Sequence, residues 1–304
     1  MTTTRLLLAI TLAPSLVGCG DDTPDQPDQL VLPNDSYPES LSSDADGTLY
    51  VGSITAGTIA AYDDGATTPR MVLADASVTG VAGVLVHGDA LWICSVDAQF
   101  RHPTEVKSFG LDGAARGTYP LGAMQFCNDM TFDAAGNLYS TDSFSGTVMR
   151  LPAGGSALET WFTDPALAPA SQGAFGLDGI VAATGALYLG KLDTGGLYRV
   201  PINADGSAGA ATSITVTPAL VAPDGIRALD DRTLLVAQNS GTLAKVAITG
   251  DTATATALAT DLDQPTGVTS ARGSAWVSEG QLGRLFAQPA QPPIEPFLVR
   301  RVDL

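Results

Sequence analysis

The stretch Leu177-Asp178-Gly179-Ile180-Val181-Ala182-Ala183-Thr184-Gly185-Ala186-Leu187-Tyr188-Leu189 reads as two short strands joined by a tight turn. The same phrase recurs along the chain. Glu39-Ser40-Leu41-Ser42 is followed by Leu49-Tyr50-Val51, and Ala82-Gly83-Val84 by Leu91-Trp92-Ile93. Asn128-Asp129-Met130 is followed by Leu138-Tyr139, Asp224-Gly225-Ile226 by Leu234-Leu235-Val236, and Thr266-Gly267-Val268 by Ala275-Trp276-Val277. The six first-named residues 39, 82, 128, 178, 224 and 266 each lie ten or eleven positions before the aromatic or its Leu counterpart. A third strand follows a second Gly, as in Gly57–Tyr62 and Gly146–Arg150, and a fourth precedes the next repeat, as in Met71–Ala74. A period in the forties built from short strands and Gly or Asp turns predicts an all-β, six-bladed β-propeller. Its blades are four-stranded, antiparallel and arranged around a central channel. Six units without atypical capping repeats argue for a closed ring over a solenoid. Either Leu30-Val31-Leu32 or the C-terminal Pro296–Val302 supplies the strand that completes the last blade.

Composition narrows the classes of function. The 304 residues contain 15 Lys and Arg against 32 Asp and Glu, for a net charge of −17. Only three Lys occur, at 107, 191 and 245. No basic face for a nucleic acid is expected. With 45% hydrophobic residues the bulk of the chain is not of disordered composition.

Residues 1–18 read as a bacterial export signal. Arg5 supplies the positive start, and Leu6–Leu12 an apolar run too short to span a membrane stably. Leu16-Val17-Gly18-Cys19 looks like a lipobox, which predicts lipidation of Cys19 and attachment to a membrane by the lipid alone. An ordinary secretory signal with an incidental Cys is the competing reading. Residues 19–36 are rich in Asp and Pro, the composition of a solvated tether. The remainder, 37–304, forms the propeller. The expected location is the bacterial cell envelope, and the protein is expected to be a monomer.

In a propeller the innermost strands start around one end of the channel, so the six leading residues converge. Around the ring they are Glu39, Ala82, Asn128, Asp178, Asp224 and Thr266. Glu39, Asn128, Asp178 and Asp224 offer oxygen ligands to a hard cation. Three converging carboxylates repel one another, and a bound Ca²⁺ relieves that cost. Another divalent cation is possible. Zinc is disfavoured because no leading residue is His or Cys. For any one of these positions, a plain Asp or Asn turn is an adequate explanation.

The repeats, and the Glu, Asn, Asx, Asp order at these positions, resemble the gluconolactonase/regucalcin (senescence marker protein) family. Paraoxonase and diisopropylfluorophosphatase propellers are related to it. The resemblance implies a catalytic divalent cation held by Glu39, Asn128, Asp178 and Asp224. It also implies hydrolysis of a lactone or ester, with Asp224 as the base that activates water and Asp178 as second choice. Three departures stand out. Asp178 replaces an Asn, Phe126 replaces an Arg two residues before Asn128, and Ala82 stands where paraoxonases use His. The alternative is a non-catalytic calcium-containing propeller lipoprotein that binds a ligand or a partner protein.

A second ring lies three residues after each strand-B aromatic: Ser53, Ser95, Asp142, Lys191, Gln238 and Glu279. Asp142, Lys191, Gln238 and Glu279 are expected to face substrate at the mouth. His102, in the long insertion of the second repeat, is a further candidate. Asp129 is read as a supporting or turn residue. Cys94 and Cys127 fall at the same end of adjacent blades, where they form either a disulfide across a loop-bearing span or two buried thiols.

Overall fold

The computed structural model describes Met1 and residues 26–304. Apart from Met1, the predicted signal segment lies outside the described residues, as does Cys19. Strand β1 (Gln29–Val31) comes first, followed by six groups of strands. Blade 1 contains β2 (Pro38–Ser43), β3 (Leu49–Ser53), β4 (Thr58–Tyr62) and β5 (Arg70–Ala74). Blade 2 contains β6 (Val81–His87), β7 (Ala90–Ser95), β8 (Glu105–Gly110) and β9 (Ala115–Pro120). Blade 3 contains β10 (Cys127–Phe132), β11 (Leu138–Asp142), β12 (Thr147–Leu151) and β13 (Glu159–Thr163). Blade 4 contains β14 (Leu177–Ala183), β15 (Ala186–Lys191), β16 (Gly196–Pro201) and β17 (Thr212–Thr217). Blade 5 contains β18 (Pro223–Asp230), β19 (Thr233–Gln238), β20 (Thr242–Thr249) and β21 (Thr252–Ala259). Blade 6 contains β22 (Pro265–Ala271), β23 (Ser274–Glu279) and β24 (Leu298–Asp303), with β1 as its outer strand.

Neighbours within each blade are antiparallel, and the inner strands β2, β6, β10, β14, β18 and β22 contact one another in order, with β22 meeting β2. The ring is therefore closed. Both termini contribute to the closure: β24 is the third strand of blade 6, and β1 pairs outside it with Leu30 opposite Val299. Part of the segment read as tether, Gln29–Val31, is thus inside the folded ring. Burial explains why, because Leu30 and Leu32 are almost wholly enclosed and Tyr62 Oη donates to the Val31 carbonyl at 2.8 Å. Blades 4 and 5 also depart from the independent-blade expectation. Their outer strands join, Thr215–Thr217 running parallel to Thr252–Thr254, so the two blades form one eight-stranded sheet. The edge of β17 is covered by this pairing.

All six inner strands carry the same irregularity. In blade 1, Pro38 pairs with Ser53 but Leu41 pairs with Val51, so three steps on β2 face two on β3. Equivalent shifts occur at Val81/Val84, Cys127/Met130, Leu177/Ile180, Pro223/Ile226 and Pro265/Val268. Each is a bulge of one extra residue, and a bulge re-aims the side chain it carries. The bulged pairs begin at 39, 82, 128, 178, 224 and 266. Their second residues crowd the next blade: a Cβ on Gly179 would lie 2.2 Å from the Asp224 carbonyl oxygen, and one on Gly225 2.5 Å from that of Thr266. Glycine at these two positions lets neighbouring inner strands approach closely.

Candidate metal centre and its pocket

The bulges of blades 1, 4 and 5 direct Glu39, Asp178 and Asp224 to one point. A carboxylate oxygen from each lies within 4.8 Å of the others, and all three side chains are buried. Asn128 joins them from blade 3, its Nδ2 donating to Asp178 Oδ2 at 3.0 Å. Asn239 Nδ2 donates to Asp224 Oδ2 at 3.3 Å. The second Asp178 oxygen, Oδ1, is buried without a hydrogen-bond partner among the described residues. At this spacing each pair of full charges would repel by about 3 kcal/mol at an effective dielectric of ~20. Burial and mutual repulsion favour the protonated forms. Burial, then the charge of Asp178, pushes the Glu39 carboxyl well above its usual range, and burial, Asp178 and Glu39 do the same to Asp224. Burial also raises Asp178, to about 7, against hydrogen bonds from Asp224 and Asn128 that lower it.

The remaining two leading residues stay apart from this cluster. Thr266 is buried and its Oγ1 donates to the Pro38 carbonyl of blade 1 at 2.8 Å, and Ala82 is wholly enclosed. Further along the channel, Arg227 crosses from blade 5. Its guanidinium holds Asp129 of blade 3 with both Nη atoms, at 2.6 and 3.1 Å, and reaches the Val84 carbonyl of blade 2 at 3.2 Å. Asp129 is thus a bracing residue, consistent with its expected supporting role. This guanidinium is engaged with Asp129, and its charge offsets the rise of Glu39 only in part. An all-oxygen donor set with an unpartnered buried oxygen fits a hard divalent cation.

The acids form the floor of a cavity of ≈ 200 Å³. Ile54, Phe126, Phe175, Leu192, Leu282 and Phe286 supply its walls. Leu282 and Phe286 come from the excursion between β23 and β24, which includes the short helix α1 (Leu282–Leu285). None of the five expected substrate-facing residues lines this cavity. Asp142 is fully buried, with its Oδ1 accepting from the Phe126 and Phe144 amides and its Oδ2 from Ser145 Oγ. Gln238 Oε1 accepts from the Val221 amide and Glu279 Oε1 from the Asp263 amide. Burial raises Glu279 above the ordinary carboxyl range. Lys191 is buried against Asp193 instead of meeting Asp178 or solvent. All four sit opposite the residue before a bulge, and Asp142, Gln238 and Glu279 each hold a backbone amide of the connection into the inner strand, whereas Lys191 pairs with Asp193. His102 is exposed on the β7–β8 connection, and Phe100 of that connection reaches the mouth in its place.

Cys94 at the end of β7 and Cys127 at the start of β10 are joined by a disulfide that ties blades 2 and 3 beside Asn128. Asn239 and Arg227 were not singled out from sequence. The signal for Arg227 is that it is the one Arg or Lys in the six inner strands.

The chain is therefore a closed six-bladed propeller with a buried acidic cluster at one end of its channel. No protein-family model and no curated protein matches the sequence. Solved structures share the fold. The major Malassezia sympodialis allergen Mala s 1 superposes with a TM-score of 0.71 at 12% identity, over 92% of this chain and 97% of that one. A luciferin-regenerating enzyme gives 0.65 at 15% identity, over 91% and 95%. A gluconolactonase from Xanthomonas campestris gives 0.64 at 16% identity, over 90% and 87%.

Proposed function

We propose that the chain is an exported, lipid-anchored hydrolase that opens lactones or related esters with a divalent cation, Ca²⁺ being the natural choice. The observation that carries this reading is the buried convergence of Glu39, Asp178 and Asp224 with an unpartnered Asp178 oxygen at the base of a cavity. The fold shared with a gluconolactonase supports the class of reaction. Glu39, Asn128, Asp178 and Asp224 would hold the ion, which when bound supplies a Lewis acid for a carbonyl oxygen. Asp224 serves as the base, oriented by Asn239. It takes a proton from the attacking water and returns it to the departing alkoxide as the acyl carbon–oxygen bond breaks. Asp178 is the second choice for that role. The apolar walls exclude bulk water from the reacting groups. The substrate is a small molecule, and the protein acts as a monomer attached to the membrane only through Cys19.

A second reading is a non-catalytic propeller in which the cation is a structural plug and the face binds a ligand or partner protein. Phe126 and Ala82, in place of Arg and His, favour it. A panel of lactones and aryl esters, assayed with and without EDTA, separates the two. The hydrolase reading predicts EDTA-sensitive turnover that falls by a factor of about 10² to 10⁴ in Asp224→Asn. Absence of turnover on every substrate, with the cation retained, assigns the second reading.

A further inference from the structure

Five of the nine Phe residues gather at the mouth of the cavity. They arrive on separate connections: Phe100 between β7 and β8, Phe126 before β10, Phe144 between β11 and β12, Phe175 before β14, and Phe286 after α1. Ring centroids lie 5.3 Å apart for Phe126 and Phe175, 5.4 Å for Phe126 and Phe144, and 5.8 Å for Phe175 and Phe286. Phe126 is buried, Phe175 and Phe286 are half-buried against the cavity, and Phe100 is 49% exposed at its rim. The polar lining groups are confined to the acid floor with Asn128, and to Asn239, which is engaged with Asp224.

We infer that this cavity selects a ligand with an apolar chain or aromatic ring attached to its carbonyl-bearing group, and rejects polyhydroxylated sugar lactones. The inference rests on the proposal that a carbonyl compound sits over the acid floor. Each hydroxyl of a sugar lactone leaves water and meets phenyl or aliphatic walls, where it has no partner. An alkyl or aryl group loses nothing there and gains the area it buries. The volume is adequate, since a cavity of ~150 Å³ takes a benzene. Phe175 and Phe286 are the specificity-determining residues, because both line the cavity above the acids and pack against each other from separate connections.

The test uses 2-alkylcyclopentanones, which carry a ring carbonyl but no scissile carbon–oxygen bond, titrated calorimetrically into the full chain in Ca²⁺ buffer. Affinity is expected to rise about threefold to fourfold for each methylene added from methyl to butyl. Phe175→Ala and Phe286→Ala should each flatten that series while keeping the weak affinity of the methyl compound. Phe286 lies on an excursion outside the blades, so its variant keeps the test valid if Phe175→Ala unfolds. A parallel kinetic arm compares γ-valerolactone through γ-nonalactone with glucono-δ-lactone. A chain-length slope in binding that the Phe variants flatten, without turnover of any lactone or of any aryl ester in the panel above, sustains this inference and overturns the hydrolase reading. Turnover that favours glucono-δ-lactone, or ketone affinity independent of chain length, overturns this inference and leaves the hydrolase reading standing.

Discussion

At the scale of single residues, the cluster of Glu39, Asp178 and Asp224 is a cost that the metal-free fold carries. A carboxyl raised in the folded state binds more protons there than in the unfolded chain. Between the ordinary carboxyl range and about pH 7, metal-free stability therefore falls as pH rises. Depressed acids do not obscure this window: Asp97, held down to about 2 by Arg101, loses its contribution only as pH drops through and below the normal range. Thermal melting in EDTA should give a stability lower at pH 8 than at pH 5 by on the order of 2–4 kcal/mol. Saturating Ca²⁺ should remove the difference, and equal melting curves at both pH values in EDTA would contradict the account. The four converging residues were legible in the sequence because a six-fold repeat makes equivalent positions comparable. Gln238, Asp142 and Glu279 lie off the described cavity for a physical reason. Proximity to the mouth follows from the repeat, but the direction of a side chain is decided by which backbone amide needs a partner, and that depends on loops. Phe175 and Phe286 were beyond sequence reasoning on the same ground, since nothing local states which connections meet.

At the scale of elements, the recurring bulge converts a plain inner strand into one that aims a side chain at the axis. The repeat and its four strands were readable from turn residues and alternation. The bulge was not, because a single extra residue leaves the hydrophobic pattern intact on either side. The parallel join between β17 and β21 was equally hidden, depending as it does on how two outer edges lean together. The disulfide between β7 and β10 closes the segment that carries Phe100 and ends beside Phe126. From the length of that loop, Cys94→Ser with Cys127→Ser should cost about 3–4 kcal/mol in urea unfolding. It should also weaken ligand binding by loosening the Phe wall. Unchanged stability in the double variant would show that the cross-link constrains neither state.

At the scale of the whole molecule, the ring is held shut by a composite blade. Sequence reading left two candidates for the closing strand, and the structure uses both, β24 as the third strand and β1 as the fourth. Local pattern could not choose because each segment is a valid edge strand alone. A chain starting at residue 34 should therefore lose about 3–5 kcal/mol relative to one starting at residue 26, through the exposed partners of Leu30 and Leu32. Denaturant midpoints of the two proteins check this. Closure matters for the site because Glu39 lies in blade 1, adjacent to the closing blade 6, while Asp178 and Asp224 lie in blades 4 and 5. The most direct test of the central claim is a calorimetric titration of Ca²⁺ into the metal-free full chain and into Asp178→Asn and Asp224→Asn variants that retain the native fold. The account predicts one site in the parent protein and a loss of affinity of tenfold or more in each variant. No binding in the parent, or binding unaltered by either substitution, would contradict it.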